Sequence, residues 1–369
     1  MPGPRQGRPQ DGTDPAGADD ADLQACGTLL GGAHARNASA AAGGRSVLPV
    51  TSMPWQQAWQ AALYGPGGLY RQPAGPAGHF ATSTQGAPGL GPVLAGALVR
   101  WMREEGLTTF VDVGCGRGEL LAHVHALDPA MRCIGLDVVP RPEDLPGPVE
   151  WLEAPGGPDL PASLGGLEDA LVVANEWLDV VPCPVAEVDV AGVLREVLVD
   201  PSDGSEGLGQ ELQGPDLHWC QRFWPPADAS PGDRVEVGRA RDEAWEALLG
   251  RLVSGIAVAV DYGHVRGARP AAGTLTGFRA GHHVVPVPDG SCDITAHVAM
   301  DSLPHDELVD QRSALRRLGV DGSRRPGYEL ARADPTAYLR ALGEASAAAA
   351  LTARGGLGDF LWAVTRVRR

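Results

Sequence analysis

Residues Phe110 to Gly118 read Phe-Val-Asp-Val-Gly-Cys-Gly-Arg-Gly, and no other stretch constrains the fold as tightly. A short apolar strand runs into glycines at 114, 116 and 118, with Asp112 two places before the first. A helix-like run, Glu119 to Leu127, follows directly. Glycine is needed where the backbone takes positive φ or lets a ligand approach closely. A strand, a glycine turn and a helix N-terminus together form a cofactor cradle. A dinucleotide fingerprint begun at Gly114 would require glycine at position 119. The chain has Glu119 there, whose charge would face a pyrophosphate. The spacing therefore argues against a nicotinamide cofactor.

Acidic-x-Gly-x-Gly-x-Gly resembles motif I of the class I S-adenosylmethionine (SAM) methyltransferases. That resemblance implies a cationic sulfonium cofactor and no phosphate to cradle, so acidic neighbours are tolerated. A second acidic residue is then expected at the end of the next strand, for the ribose hydroxyls. Met131 to Asp137 supplies it, at an interval that suits a Rossmann-like unit. The expected cofactor-binding residues are Asp112, Gly114, Gly116, Gly118, Asp137 and Asn175.

The rest of the chain reads as an open parallel sheet. Cys133–Leu136, Trp151–Leu152, Ala170–Ala174 and Ile256–Val260 are apolar runs suited to strands covered on both faces. Asp112, Asp137, Asn175, Glu176 and Asp261 fall at or near strand C-termini, where ligands bind in such sheets. Residues 1–45 are Gly, Ala, Pro and Asp rich without periodicity and read as a disordered tail. Residues 46–108 read as an N-terminal helical segment capping the substrate side, with Trp55, Trp59 and Leu63 at helical spacing. Residues 109–369 form the methyltransferase domain, with an insert at about 183–250. Within it Val185–Asp189 and Leu194–Val199 read as a hairpin, 200–233 as loop and Val237–Leu252 as a helix. A long irregular segment follows the strand at 256–260, then helices near 306–318 and 334–350. Phe360–Val367 reads as the last, antiparallel strand. The fold class expected is α/β: a Rossmann-like class I methyltransferase sheet with an inserted, substrate-facing lobe.

Composition narrows the partners. The net charge is −16, and all 30 basic residues are arginine. Nucleic-acid binding needs clustered cations, so no nucleic acid is expected. The apolar runs are too short to span a bilayer, and the first 20 residues lack the apolar core of a signal peptide. We expect a cytoplasmic location and no membrane partner. Six cysteines form no C-x-x-C pair, and no metal site is expected.

Further landmarks extend the resemblance to one family, the MidA-like SAM-dependent methyltransferases, which include the mitochondrial complex I assembly methyltransferase. They are Leu63-Tyr-Gly-Pro-Gly-Gly-Leu-Tyr70, Gly78-His-Phe-Ala-Thr82, Ala174-Asn-Glu-Trp-Leu-Asp-Val-Val-Pro182, Val260-Asp-Tyr-Gly263, Gly273-Thr-Leu275, Asp293-Ile-Thr-Ala-His297 and Gly358-Asp-Phe360. The resemblance runs from about Trp59 to Val367 and implies SAM as cofactor and a protein side chain, arginine in the mitochondrial relative, as substrate. The chain departs from the family pattern after Gly78. His79 stands where the family has Asp, and Thr84-Gln-Gly-Ala-Pro88 carries no glutamate.

Methyl transfer needs an oriented nucleophile that loses a proton. Carboxylates orient a guanidinium by bidentate hydrogen bonds. Glu176 and Asp179, in Asn175-Glu-Trp-Leu-Asp179, are the acidic pair expected to do this, with helix capping as the competing role. The Glu-Trp pair resembles the first half of the double-glutamate loop of arginine methyltransferases. Two other readings of the chain stand beside an active protein methyltransferase. One is a non-catalytic assembly factor of the same fold; the other is a methyltransferase acting on a small metabolite. Oligomeric state is not legible.

Overall fold

A computed structural model describes residues 52–72, 88–225 and 229–368. The expectations for residues 1–45, and for Gly78 to Thr82 with His79, lie outside them. Seven strands build the central sheet: β1 (Thr109–Val113), β2 (Arg132–Asp137), β3 (Glu150–Glu153), β4 (Ala170–Asn175), β5 (Gly255–Asp261), β6 (Glu307–Asp310) and β7 (Leu361–Val367). Their spatial order is β3-β2-β1-β4-β5-β7-β6. The pairs from β3 through β5 are parallel, and β7 runs antiparallel to both its neighbours. The chain order reverses between β1 and β4, and an open α/β sheet binds ligands at such a switch point.

Why the strands are apolar without alternation follows from what covers them. Phe110, Leu171, Val173, Val258 and Trp362 pack into one core with helices α2 (Leu90–Glu105), α3 (Glu119–Leu127) and Pro335–Leu351. Val111, Val113, Val172, Ala257 and Ala363 face the opposite core with Trp245 and Leu248 of helix Arg239–Leu249. Both faces of the central strands are therefore dry, and their polar groups gather toward the strand ends.

Between β4 and β5 the chain builds four strands of a second, five-stranded antiparallel sheet, to which Met53–Pro54 adds the fifth. Its strands Val185–Val188 and Leu194–Val199 form the expected hairpin. The reading of 200–233 as loop is corrected. Glu206–Glu211 adds a strand against Leu194–Val199, and Gly214–Phe223 is a helix. The strand lies at an edge, where pairing with a neighbour outweighs the poor propensity of its two glycines. The helix carries Pro in its first turn, where its missing N–H costs nothing. The segment after β5 likewise holds short strands, including Thr276–Arg279 paired with Asp293–Thr295.

Met53–Pro54 pairs with Leu194–Val199, so the N-terminal helix α1 (Trp55–Tyr64) rests on the inserted sheet. Trp55, Trp59 and Leu63 are buried there with Val185, Val197, Val199 and Ile294. The indole of Trp59 donates to the Ile294 carbonyl at 2.9 Å. Helix α1 and the turn Leu69–Arg71 thereby overhang the carboxyl ends of the central strands.

Candidate active site

Gly114, Gly116 and Gly118 all take left-handed backbone, with φ of 70°, 60° and 80°. The Gly114 and Cys115 amides both donate to the Leu136 carbonyl, tying the turn to β2. A Cβ at Gly114 would lie 3.2 Å from the Trp177 indole, so the residue lets the β4 loop close over the turn. A Cβ at Gly118 would lie 2.7 Å from Leu145. Gly118 starts α3 and packs against that side chain. Unlike Gly114 and Gly116, it does not line the cavity.

Asp137, at the end of β2, receives the Gly116 amide on Oδ2 and the Val138 amide on Oδ1, each at 2.7 Å. Burial pushes its carboxyl up to about 6 against the pull of these amides. Asp112 is only 4% exposed. Burial, then the nearby charges of Asp137 and Glu119, raise its carboxyl well above the usual range.

These residues line one side of a cavity of about 460 Å³. Asn175, Glu176 and Trp177 line it from the end of β4, and Tyr64, Tyr70, Arg71 and Gln72 from the N-terminal segment. Arg71 is fixed by donating to the carbonyls of Tyr64 at 3.0 Å and Pro155 at 2.8 Å. Six carboxylates, from Asp112, Asp137, Glu143, Asp144, Asp159 and Glu176, line the cavity against two guanidiniums, from Arg71 and Arg117. The wall is suited to a cationic guest.

Glu176 has φ of 51°, left-handed backbone that a glutamate adopts only when its surroundings impose it. Its amide donates to the Val260 carbonyl at 2.9 Å, and the Asn175 amide group reaches its Oε1 at 3.3 Å.

Asp179 does not join Glu176 at the cavity. It is 1% exposed and lies behind the wall. Its Oδ2 accepts from the Tyr262 hydroxyl and, at 2.7 Å, from Thr295, while its amide donates to Asp261 at 3.1 Å. The β4 loop turns between the two acids, which sends Glu176 forward and Asp179 into the core. The buried Arg241 grips the same loop from behind, donating to the carbonyls of Val181, Asp179 and His297 at 3.1, 2.8 and 2.9 Å. Sequence reasoning assigned no role to Tyr64, Tyr70, Arg71, Glu143, Asp144 or Asp159. The run Leu63–Tyr70 was marked as a landmark, but nothing local says that it overhangs strands that begin at Thr109.

The fold and the site define a class I methyltransferase. A family model for S-adenosyl-L-methionine-dependent methyltransferases matches residues 126–320, and the chain belongs to that family, the MidA-like methyltransferases. A Burkholderia thailandensis superfamily member bound to S-adenosyl-homocysteine has a similar structure, with TM-score 0.64, 22% identity and 95% of each chain covered. A native structure of a protein of the same superfamily from that organism gives TM-score 0.64 at 23% identity, covering 96% of this chain and 95% of the other. No curated protein matches the chain.

The cofactor is SAM. The residues present fit it. The glycine turn leaves room where side chains would meet Trp177, the cavity has the size for a small ligand, and its acidic wall complements a sulfonium.

Proposed function

We propose that this methyltransferase modifies a protein side chain, with arginine as the acceptor. One observation carries the reading: Glu176 is held in left-handed backbone on the wall of an acidic cavity beside the glycine turn. Strain of this kind persists where the surrounding structure over-determines it, and it clusters at working sites. A guanidinium is a planar cation that a carboxylate orients through paired hydrogen bonds. When bound, SAM supplies an activated methyl group. The chain's residues then have two tasks, to hold both partners in line and to let the acceptor shed a proton.

In this reading Asp137 accepts the ribose hydroxyls, Gly114 and Gly116 bring backbone against the methionine end, and Asp112 and Asn175 flank it. Asp179 serves by fixing the loop that presents Glu176. The acidic surface, at net charge −16, attracts a basic protein partner and repels nucleic acid. The five described cysteines are free, which suits the reducing cytoplasm, and no described helix is long and apolar enough to cross a membrane.

The test is transfer of labelled methyl from SAM to cell-extract protein, followed by hydrolysis and amino-acid analysis. Methylarginine is expected. Label in the small-molecule fraction alone would replace the protein substrate with a metabolite. SAM binding without any transfer would leave a binding protein of the same fold.

A further inference from the structure

A second set of acids stands behind the cavity wall, and one member reaches the cavity through a tyrosine. Tyr70 lines the cavity, and its hydroxyl donates to Asp293 Oδ1 at 2.9 Å. Asp293 is fully buried on the strand Asp293–Thr295. Its other oxygen, Oδ2, finds no hydrogen-bond partner among the described residues. Burying a carboxyl oxygen without a partner costs free energy, a cost that Asp179 Oδ1 and Asp261 Oδ1 share behind the same wall, and Asp293 alone of the three is bonded to a side chain that lines the cavity. Two residues along the same strand, Thr295 donates to Asp179, so one strand supports both the tyrosine and the β4 loop. Tyr70 is held in place by an edge-on contact with Tyr64, ring centres 5.3 Å apart, and Tyr64 in turn donates to the Val180 carbonyl.

We infer that Tyr70 and Asp293 form the proton-accepting pair of the transfer, Tyr70 as the catalytic residue that touches the acceptor group and Asp293 as the positioning residue acting through it. This rests on the methyltransferase reading and adds a substrate class to it: the acceptor is an N–H or O–H nucleophile that arrives holding its proton. A thiolate or carboxylate acceptor would need no such pair. The acceptor's lone pair would form the new bond to the methyl carbon as the carbon–sulfur bond of SAM breaks, its bonding pair leaving with the sulfur as a neutral thioether. The acceptor's X–H bond breaks, and that bonding pair stays on X. The proton passes to the Tyr70 oxygen as the hydroxyl proton of Tyr70 passes to Asp293 Oδ1. Tyr70 ends as it began, and Asp293 ends protonated.

The surroundings suit the task. Burial raises Asp293 to about 8, with the charge of Asp179 adding to it. A base works best when its pKa lies near the operating pH. The titratable groups facing Asp293 are Tyr64 and Tyr70 from the N-terminal segment, Asp179 from the β4 loop, and its strand neighbour Cys292. Burial first, then Asp293, holds the Tyr70 phenol well above 10, so the tyrosine relays a proton and does not store a charge.

Two readouts test the pair on the full chain. The first is infrared titration of the carboxyl bands. A buried acid should titrate near 8 in the wild type, vanish in Asp293→Asn and shift in Tyr70→Phe. If the band lost in Asp293→Asn titrates in the ordinary carboxylate range, the proposal is overturned. The second is the rate of methyl transfer from labelled SAM to extract protein, with SAM affinity followed by calorimetry. We expect each single variant and the double variant to lose a similar factor, roughly 100-fold or more, at unchanged SAM affinity. The wild-type rate should rise through about pH 8, and Asp293→Asn should lack that rise. Rates within a factor of about 2 of wild type, across a range where 100-fold is expected, would overturn the pair. Failure of the wild type to bind SAM is a separate result, which would sink the methyltransferase reading and the pair with it.

Discussion

At the scale of single residues, Glu176 and Asp137 make opposite demands on the site. Glu176→Gln keeps the shape and removes the charge. We expect it to leave SAM affinity within a few-fold while cutting transfer by about 100-fold, measured by calorimetry and label incorporation. Loss of SAM affinity instead would move Glu176 into the cofactor site. Asp137 should make SAM binding depend on pH. Its carboxyl titrates near 6, and a proton there removes the acceptor that ribose hydroxyls need. Affinity should therefore hold above that pH and fall below it, by about tenfold per pH unit for one competing proton. Asp137→Asn should bind more weakly and flatten the dependence.

At the scale of elements, the β4 loop depends on a cation that never meets solvent. Arg241, 1% exposed, supplies the donors for three carbonyls of that loop and of the strand end beside it. Arg241→Leu removes the donor to the Val181 and His297 carbonyls and leaves the Asp179 carbonyl with the Ala296 amide alone, and we expect a loss of about 3 kcal/mol or more in urea unfolding, together with weaker SAM binding. Gly255 is a second such point. It opens β5 at φ 135°, and a Cβ there would lie 2.0 Å from the Ala170 carbonyl oxygen of the neighbouring strand. Gly255→Ala should cost about 2 kcal/mol or more in the same assay. The strand–turn–helix unit and Asp137 were legible because local chemistry fixes them: apolar runs, glycines at positive φ and an acid at a strand end. The edge strand Glu206–Glu211 was not, since partner pairing alone makes it a strand. Tyr70 was illegible as a cavity residue for a related reason. It reaches the site through the pairing of Met53–Pro54 with residues near Val199, which no local pattern announces. Asp179 was misplaced because adjacency to Glu176 does not reveal that the loop turns between them.

For the whole molecule, the concentration of buried acids sets how stability responds to pH. Asp112, Asp137, Asp261 and Asp293 all have folded-state values raised by burial. The folded chain therefore holds protons that the unfolded chain releases, and this contribution is present at low pH and lost as pH rises. We expect the unliganded protein to lose stability as pH climbs through about 6 and about 8, read as a falling urea midpoint. A bound cationic cofactor favours the ionised acids, so saturating SAM should oppose that decline. A stability that rises steadily across this range would show that these carboxyls are ionised in the folded state.

The overhanging helix α1 also sets a timetable for synthesis. Trp59 hydrogen-bonds to Ile294, 235 residues further along the chain. At roughly 5–20 residues per second, the ribosome needs on the order of ten seconds or more to deliver that partner. Until then Trp55, Trp59 and Leu63 have no complete apolar surface to cover them. The nascent chain thus carries an apolar helix near its start whose sheltering strand follows 235 residues later. Chaperone demand during translation should be greatest while residues up to Ile294 are still being made.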